Sequence, residues 1–170
     1  GQMIKGQFYT NWGKTYYFGD GGVRIDNAFY VNWGHAYWFQ NDGSLAVDTV
    51  VHTSNGDFHA DINGILTLHD QFIYSLGNVY YFNNDGQMIK GQFYTNWGHQ
   101  YYFKDDGSRA TSEKVIINGS TYYFDQNGIM KTNYLMEQNG KVYYFGSDGA
   151  RWDNKWMTYY GNQYYFKDDG

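Results

Sequence analysis

Residues 98–128 read GHQYYFKDDGSRATSEKVIINGSTYYFDQNG, and within this stretch one pattern occurs twice. Tyr101-Tyr102-Phe103 is followed by Gly107, and Tyr122-Tyr123-Phe124 by Gly128; Gly98 and Gly119 stand three residues before each triplet. Asp-Gly and Asn-Gly pairs supply the positive φ that tight turns need, while Tyr and Phe favour strands. The stretch therefore reads as strand, glycine turn, strand, glycine turn. Glycine at this spacing, with no apolar period near 3.6, excludes helix.

Working outward, the aromatic register recurs at Tyr16-Tyr17-Phe18, Tyr37-Trp38-Phe39, Tyr80-Tyr81-Phe82, Tyr143-Tyr144-Phe145 and Tyr164-Tyr165-Phe166. A degenerate copy, Phe58-His59-Ala60, keeps the place where an eighth is due. The period is 21 residues, stretched to 22 between Phe58 and Tyr80. One hairpin alone is marginal in water, but stacked copies bury a continuous core. The expectation is an all-β fold, a β-solenoid of tandem hairpin repeats running as a single array over residues 1–170. GQMIKGQFYTNWG at 1–13 returns unchanged at 86–98, which points to duplication of a four-repeat block, and the motif glycines Gly1 and Gly170 at the two ends lead to the expectation of a piece of a longer array.

The 170 residues include 20 Tyr, 12 Phe, 6 Trp and 22 Gly, with neither Pro nor Cys. The net charge is −5 and the Lys and Arg residues are scattered, which argues against nucleic acid as a partner. No apolar run approaches the ~20 residues of a membrane span, so no membrane insertion is expected. Most acids fall in turns, and the five His residues keep no catalytic or metal-binding spacing. The chain is thus expected to be no enzyme and to need no metal or cofactor.

That leaves the rings. Alternation along a strand puts the third residue of each triplet, such as Phe39 or Phe124, on the core face. The middle ring (Tyr17, Trp38, Tyr81, Tyr102, Tyr123) must face something else, either the next hairpin or a ligand. Trp12, Trp33 and Trp97 precede a turn glycine where other copies carry Asn118 and Asn139. Turn chemistry gives no reason for tryptophan there, so exposure and ligand contact are expected. Sugar rings stack on such faces. Each aromatic contact is worth only ~0.5–1.5 kcal/mol beyond burial, so repetition has to supply the avidity, and a polymer suits that better than a small molecule.

With the YYF triplet, the DG turn and the 21-residue period, the chain resembles the cell-wall/glucan-binding repeat superfamily, which includes glucansucrase repeats, choline-binding repeats and clostridial toxin repeats. The resemblance covers all eight copies. It implies a hairpin solenoid on a secreted or cell-surface bacterial protein, with ligand pockets between consecutive hairpins. Glucansucrase repeats look nearest, being similar to NGxxxYFxxDGxxVKG, which Asn118–Gly128 and Gly86–Gly91 echo. Their pockets combine an aromatic platform with a Gln and a Lys two residues apart. Lys5 and Lys90 match the lysine, whereas Met3 and Met88 hold the glutamine position. Other copies carry Arg24 with Asp26, Arg109 with Thr111 and Arg151 with Asp153, each pair on one strand face. Choline-binding repeats resemble GWxxxxGxWYY, and here Gln7 and Gln92 follow Gly6 and Gly91 in place of that first Trp.

The resemblance implies a non-catalytic module for α-glucan or a related bacterial surface polysaccharide, appended to a glucansucrase-type protein. Trp12, Trp33 and Trp97, the middle rings, Lys5, Lys90, Gln7 and Gln92 would make the contacts, and the third copy would bind least well. A choline or teichoic-acid anchor and a purely structural spacer are the alternatives.

Overall fold

The computed structural model describes all 170 residues and contains sixteen strands of five residues each, with no helix. They are β1 (Gln7–Asn11), β2 (Lys14–Phe18), β3 (Ala28–Asn32), β4 (His35–Phe39), β5 (Thr49–Thr53), β6 (Gly56–Ala60), β7 (Gln71–Ser75) and β8 (Asn78–Phe82). The series continues with β9 (Gln92–Asn96), β10 (His99–Phe103), β11 (Glu113–Ile117), β12 (Ser120–Phe124), β13 (Tyr134–Gln138), β14 (Lys141–Phe145), β15 (Lys155–Tyr159) and β16 (Asn162–Phe166). Each odd strand pairs antiparallel with the strand after it, giving eight two-stranded sheets. The fold is the all-β solenoid of tandem hairpins that the period implies. The chain divides into two compact units, one of residues 1–90 with 105–108, the other of residues 91–104 with 109–170.

The hairpin turns are two residues long, and both residues carry positive φ. Trp12 sits at φ 49° with Gly13 at 74°, and Asn118 at 50° with Gly119 at 84°. This is the turn whose twist matches a right-handed strand pair. The degenerate third copy closes differently. Ser54 and Asn55 avoid positive φ and Gly56 takes 119°. Thr53 Oγ1 accepts the Asn55 N–H at 3.1 Å and donates to the Gly56 carbonyl at 2.9 Å, an alternative local turn.

Connectors between hairpins do the stitching. The residue six after each strand end forms an isolated bridge to it, as in Phe39↔Leu45 and Phe124↔Met130. Its N–H reaches back to the preceding hairpin: Leu45 to the Thr15 carbonyl at 2.7 Å, Leu66 to Ala36 at 2.9 Å, Met130 to Gln100 and Arg151 to Thr121, both at 2.8 Å. The following N–H bonds its own hairpin, as Ala46 to Trp38 and Lys131 to Tyr123, both at 2.9 Å. In these four connectors successive N–H groups thus donate to carbonyls on two successive copies at once.

The third ring of the triplet is the core, as its alternation predicts. Phe39, Phe82, Phe103, Phe124 and Phe145 are essentially fully buried. In the third copy Ala60 takes that place, and the volume is made up by aliphatic side chains, Val51, Leu66, Leu68 and Ile73. Leu68 lies in the connector that carries the extra residue, so the irregular period brings an apolar side chain into the gap.

Candidate functional site

The middle rings turn toward the following hairpin. Tyr17 lies 6.5 Å from Phe39, Tyr102 6.3 Å from Phe124, and Tyr123 6.1 Å from Phe145, centroid to centroid. Each therefore covers the core ring of the next copy while staying half-buried. Trp38 and Tyr81 go further and are buried; the Tyr81 hydroxyl donates to the Asp70 carboxylate. Those two rings serve packing and do not present an open face.

The turn tryptophans are exposed as expected, Trp12 at 94%, Trp97 at 79% and Trp33 at 66%. Only Trp33 joins a larger assembly. It stacks on Phe8 at 5.6 Å and 20°, and meets Tyr37 edge-on at 6.3 Å. Phe8 in turn lies 5.0 Å from Tyr17 and 5.5 Å from Tyr30, whose rings are 4.4 Å apart. The first junction is thus a contiguous aromatic surface built from both hairpins, buried at Tyr30 and open at Trp33 and Phe8. Burial, together with hydrogen bonding to Tyr17, pushes the Tyr30 phenol up to about 12, although the Asn32 amide donates to it at 3.0 Å. It remains neutral at any physiological pH.

Phe8 was not apparent as a site residue from the triplets, yet a periodic signal existed. The second residue of the first strand is Phe8, Phe29, Phe72 and Phe93 in four copies. At the fifth-to-sixth junction Phe93 lies 5.1 Å from Tyr102, as Phe8 does from Tyr17, but its partner in the next copy is the leading triplet ring, Tyr122 at 5.4 Å, because Val115 stands where Tyr30 does. In the sixth copy the second residue of the first strand is Lys114, and its Nζ sits 3.9 Å over the Tyr143 ring.

The polar residues do not gather at these rings. Lys5, Lys90, Gln7 and Gln92 are exposed, and their side chains make no hydrogen bond or ion pair. Arg24 and Arg151 each form a two-pronged pair with their own carboxylate, Asp26 at 2.6 and 2.9 Å and Asp153 at 2.7 and 3.0 Å. Those groups satisfy one another. Arg109, with Thr111 in place of the acid, keeps a buried Nε without a partner, and burial lowers its pKa.

Residues 75–113 and 110–156 each match the family model for a choline-binding repeat. Together the two matches run over residues 75–156, and this part of the chain is similar to choline-binding repeats. Among solved structures, the choline-binding domain of CbpL from Streptococcus pneumoniae is 23% identical with a TM-score of 0.54, over 96% of this chain and 94% of that domain. CbpJ from Streptococcus pneumoniae TIGR4 is 22% identical with a TM-score of 0.51, over 96% of this chain and 56% of that one. Both likenesses speak to the fold. The chain also spans 42% of the length of the modular autolysin LytC from the same species, at 22% identity and a TM-score of 0.48. No curated protein sequence matches it.

Among the clefts on the surface of the array are two in the second unit. One, of about 510 Å³, is apolar and lies on the last two hairpins between Leu135, Val142, Met157, Tyr159 and Tyr164. The other, of about 370 Å³, is bordered by His99, Gln100, Met130, Thr132 and Asp148. Neither is lined by Trp12, Trp33 or Trp97. No group of three or more His, Asp or Glu side chains is placed to hold a metal ion.

Proposed function

We propose that this array attaches a secreted or surface-bound bacterial protein to a cell-wall polymer, and that its hairpin junctions take choline-type quaternary ammonium groups on that polymer. The supporting observation is that aromatic faces in this chain repeatedly accept cations. Lys114 over Tyr143 is the tightest case; Lys131 lies 4.9 Å from the Tyr134 centroid and Lys155 5.4 Å from that of Trp152. Arg24, Arg109 and Arg151 lie over Tyr16, Tyr101 and Tyr143 at 5.7–5.9 Å. A ring quadrupole attracts cations by ~0.5–1 kcal/mol at exposed sites and about 2 when water is excluded. The first junction offers Phe8, Tyr17 and Trp33 with no lysine or arginine of its own over them. The net charge of −5 also favours a cationic ligand. One such site is weak; a polymer engaging several is held by avidity.

The experiment is passage over a quaternary-ammonium resin. Retention with release by free choline, and earlier elution of Trp33→Ala, is the expected result. Flow-through of the native chain would reject the proposal.

A carbohydrate reading also has an observation behind it. Trp12 and Trp97 make no ring contact and stand clear of the surface, as platforms for the apolar face of a pyranose should. Under this reading α-glucan retards the chain in a gel and Trp97→Ala lowers the retardation.

A further inference from the structure

Lys114 is the exception in an otherwise apolar series. The second residue of the first strand is Phe8, Phe29, Val50, Phe72, Phe93, Lys114, Leu135 and Trp156 through the eight copies. In two of the phenylalanine copies it meets the leading triplet ring of the following copy: Phe29 lies 6.0 Å from Phe58, and Phe93 5.4 Å from Tyr122. Lys114 instead extends its half-buried stem along that path and lays its ammonium 3.9 Å over Tyr143, the equivalent ring. It has no hydrogen bond and no carboxylate partner. The Arg151 guanidinium lies 5.9 Å from the centre of the same ring. Burial and that neighbouring positive charge together lower the Lys114 pKa. A partly desolvated ammonium held by a ring alone, beside a second cation, is costly to keep in place. The position would cost less as phenylalanine.

We infer that the Lys114 ammonium is a built-in occupant of the sixth-to-seventh junction, filling the face of Tyr143 that a ligand cation would use and so limiting how many junctions of the array bind. This rests on the cation reading of the junctions, and it assigns Lys114 the role of a specificity-determining residue. An ammonium 3.9 Å from the ring centroid takes up the contact space that a ligand cation would need, so ligand and lysine exclude each other. Removing the amine should vacate the face, whereas arginine, keeping the charge and the reach, should leave it closed.

The test uses the full chain and choline chloride, with ring resonances of Tyr143 and Trp33 followed by NMR. In the native chain Trp33 should shift and Tyr143 should not. In Lys114→Ala both should shift, with one more choline bound per chain, and Lys114→Arg should behave as native. Unchanged strand resonances in β11 and β13 establish that the variants keep their fold. A Tyr143 response in the native chain, or none in Lys114→Ala while Trp33 still responds, overturns the inference and leaves the cation reading intact. Silence at both rings in all three proteins defeats that reading, and the Lys114 assignment with it.

Discussion

Trp12, Trp33 and Trp97 hold φ between 49° and 52°, where Asn118 and Asn139 sit at ease in other copies. A bulky residue in the left-handed region is strained by about 1–3 kcal/mol, and strain of this kind persists where function needs it. Trp12→Asn should therefore raise thermal stability slightly while weakening polymer binding, as a melting curve and a binding assay on the same sample would show. Equal or lower stability would mean that the tryptophan stabilises its own turn. Tyr30 gives a second residue-scale expectation. Its phenol titrates at about 12 when folded against about 10 when unfolded. Its contribution is fully present below pH 10, is lost as pH climbs, and is gone above about 12. Alkaline unfolding should thus be less steep in Tyr30→Phe, which lacks this titration.

At the scale of the element, the connector is the part that fixes one hairpin to the next. Gly128 sits at φ 77° and a methyl there would fall on the Arg109 side chain, whereas Gly140 sits at 72° with open space around it. Gly140→Ala should cost about 1–2 kcal/mol for backbone strain alone. Gly128→Ala should cost more, and should speed amide exchange at Met130, whose N–H joins two copies. Equal costs would remove the close approach of Arg109 from the account. The hairpins were legible in the sequence because Gly and Asx residues encode φ directly. The connector was not, because the bridge residue varies among Arg, Leu and Met. What these share is a backbone N–H and a long stem, and neither leaves a pattern in residue type. The third copy shows the same limit: Leu68 fills the space over Ala60 only once the chain has folded.

Across the whole molecule, the repeats share a fold and differ in what their junctions present. Phe8 with Trp33 makes an open aromatic surface, Phe29 with Phe58 a largely buried one, and Lys114 with Tyr143 an occupied one. Sequence reading found the exposed tryptophans because they break a local turn rule. It placed Trp38 and Tyr81 beside them because alternation alone cannot say how closely the next hairpin approaches. The tandem period carried the fold; the contacts between copies, on which the proposed ligand sites depend, are encoded by no single repeat. Titration of the native chain with choline, followed at the Trp33 indole N–H against an equal concentration of isomaltose, tests the central claim most directly. Saturable shifts with choline and none with isomaltose are expected. Saturation by isomaltose with no response to choline would contradict the account.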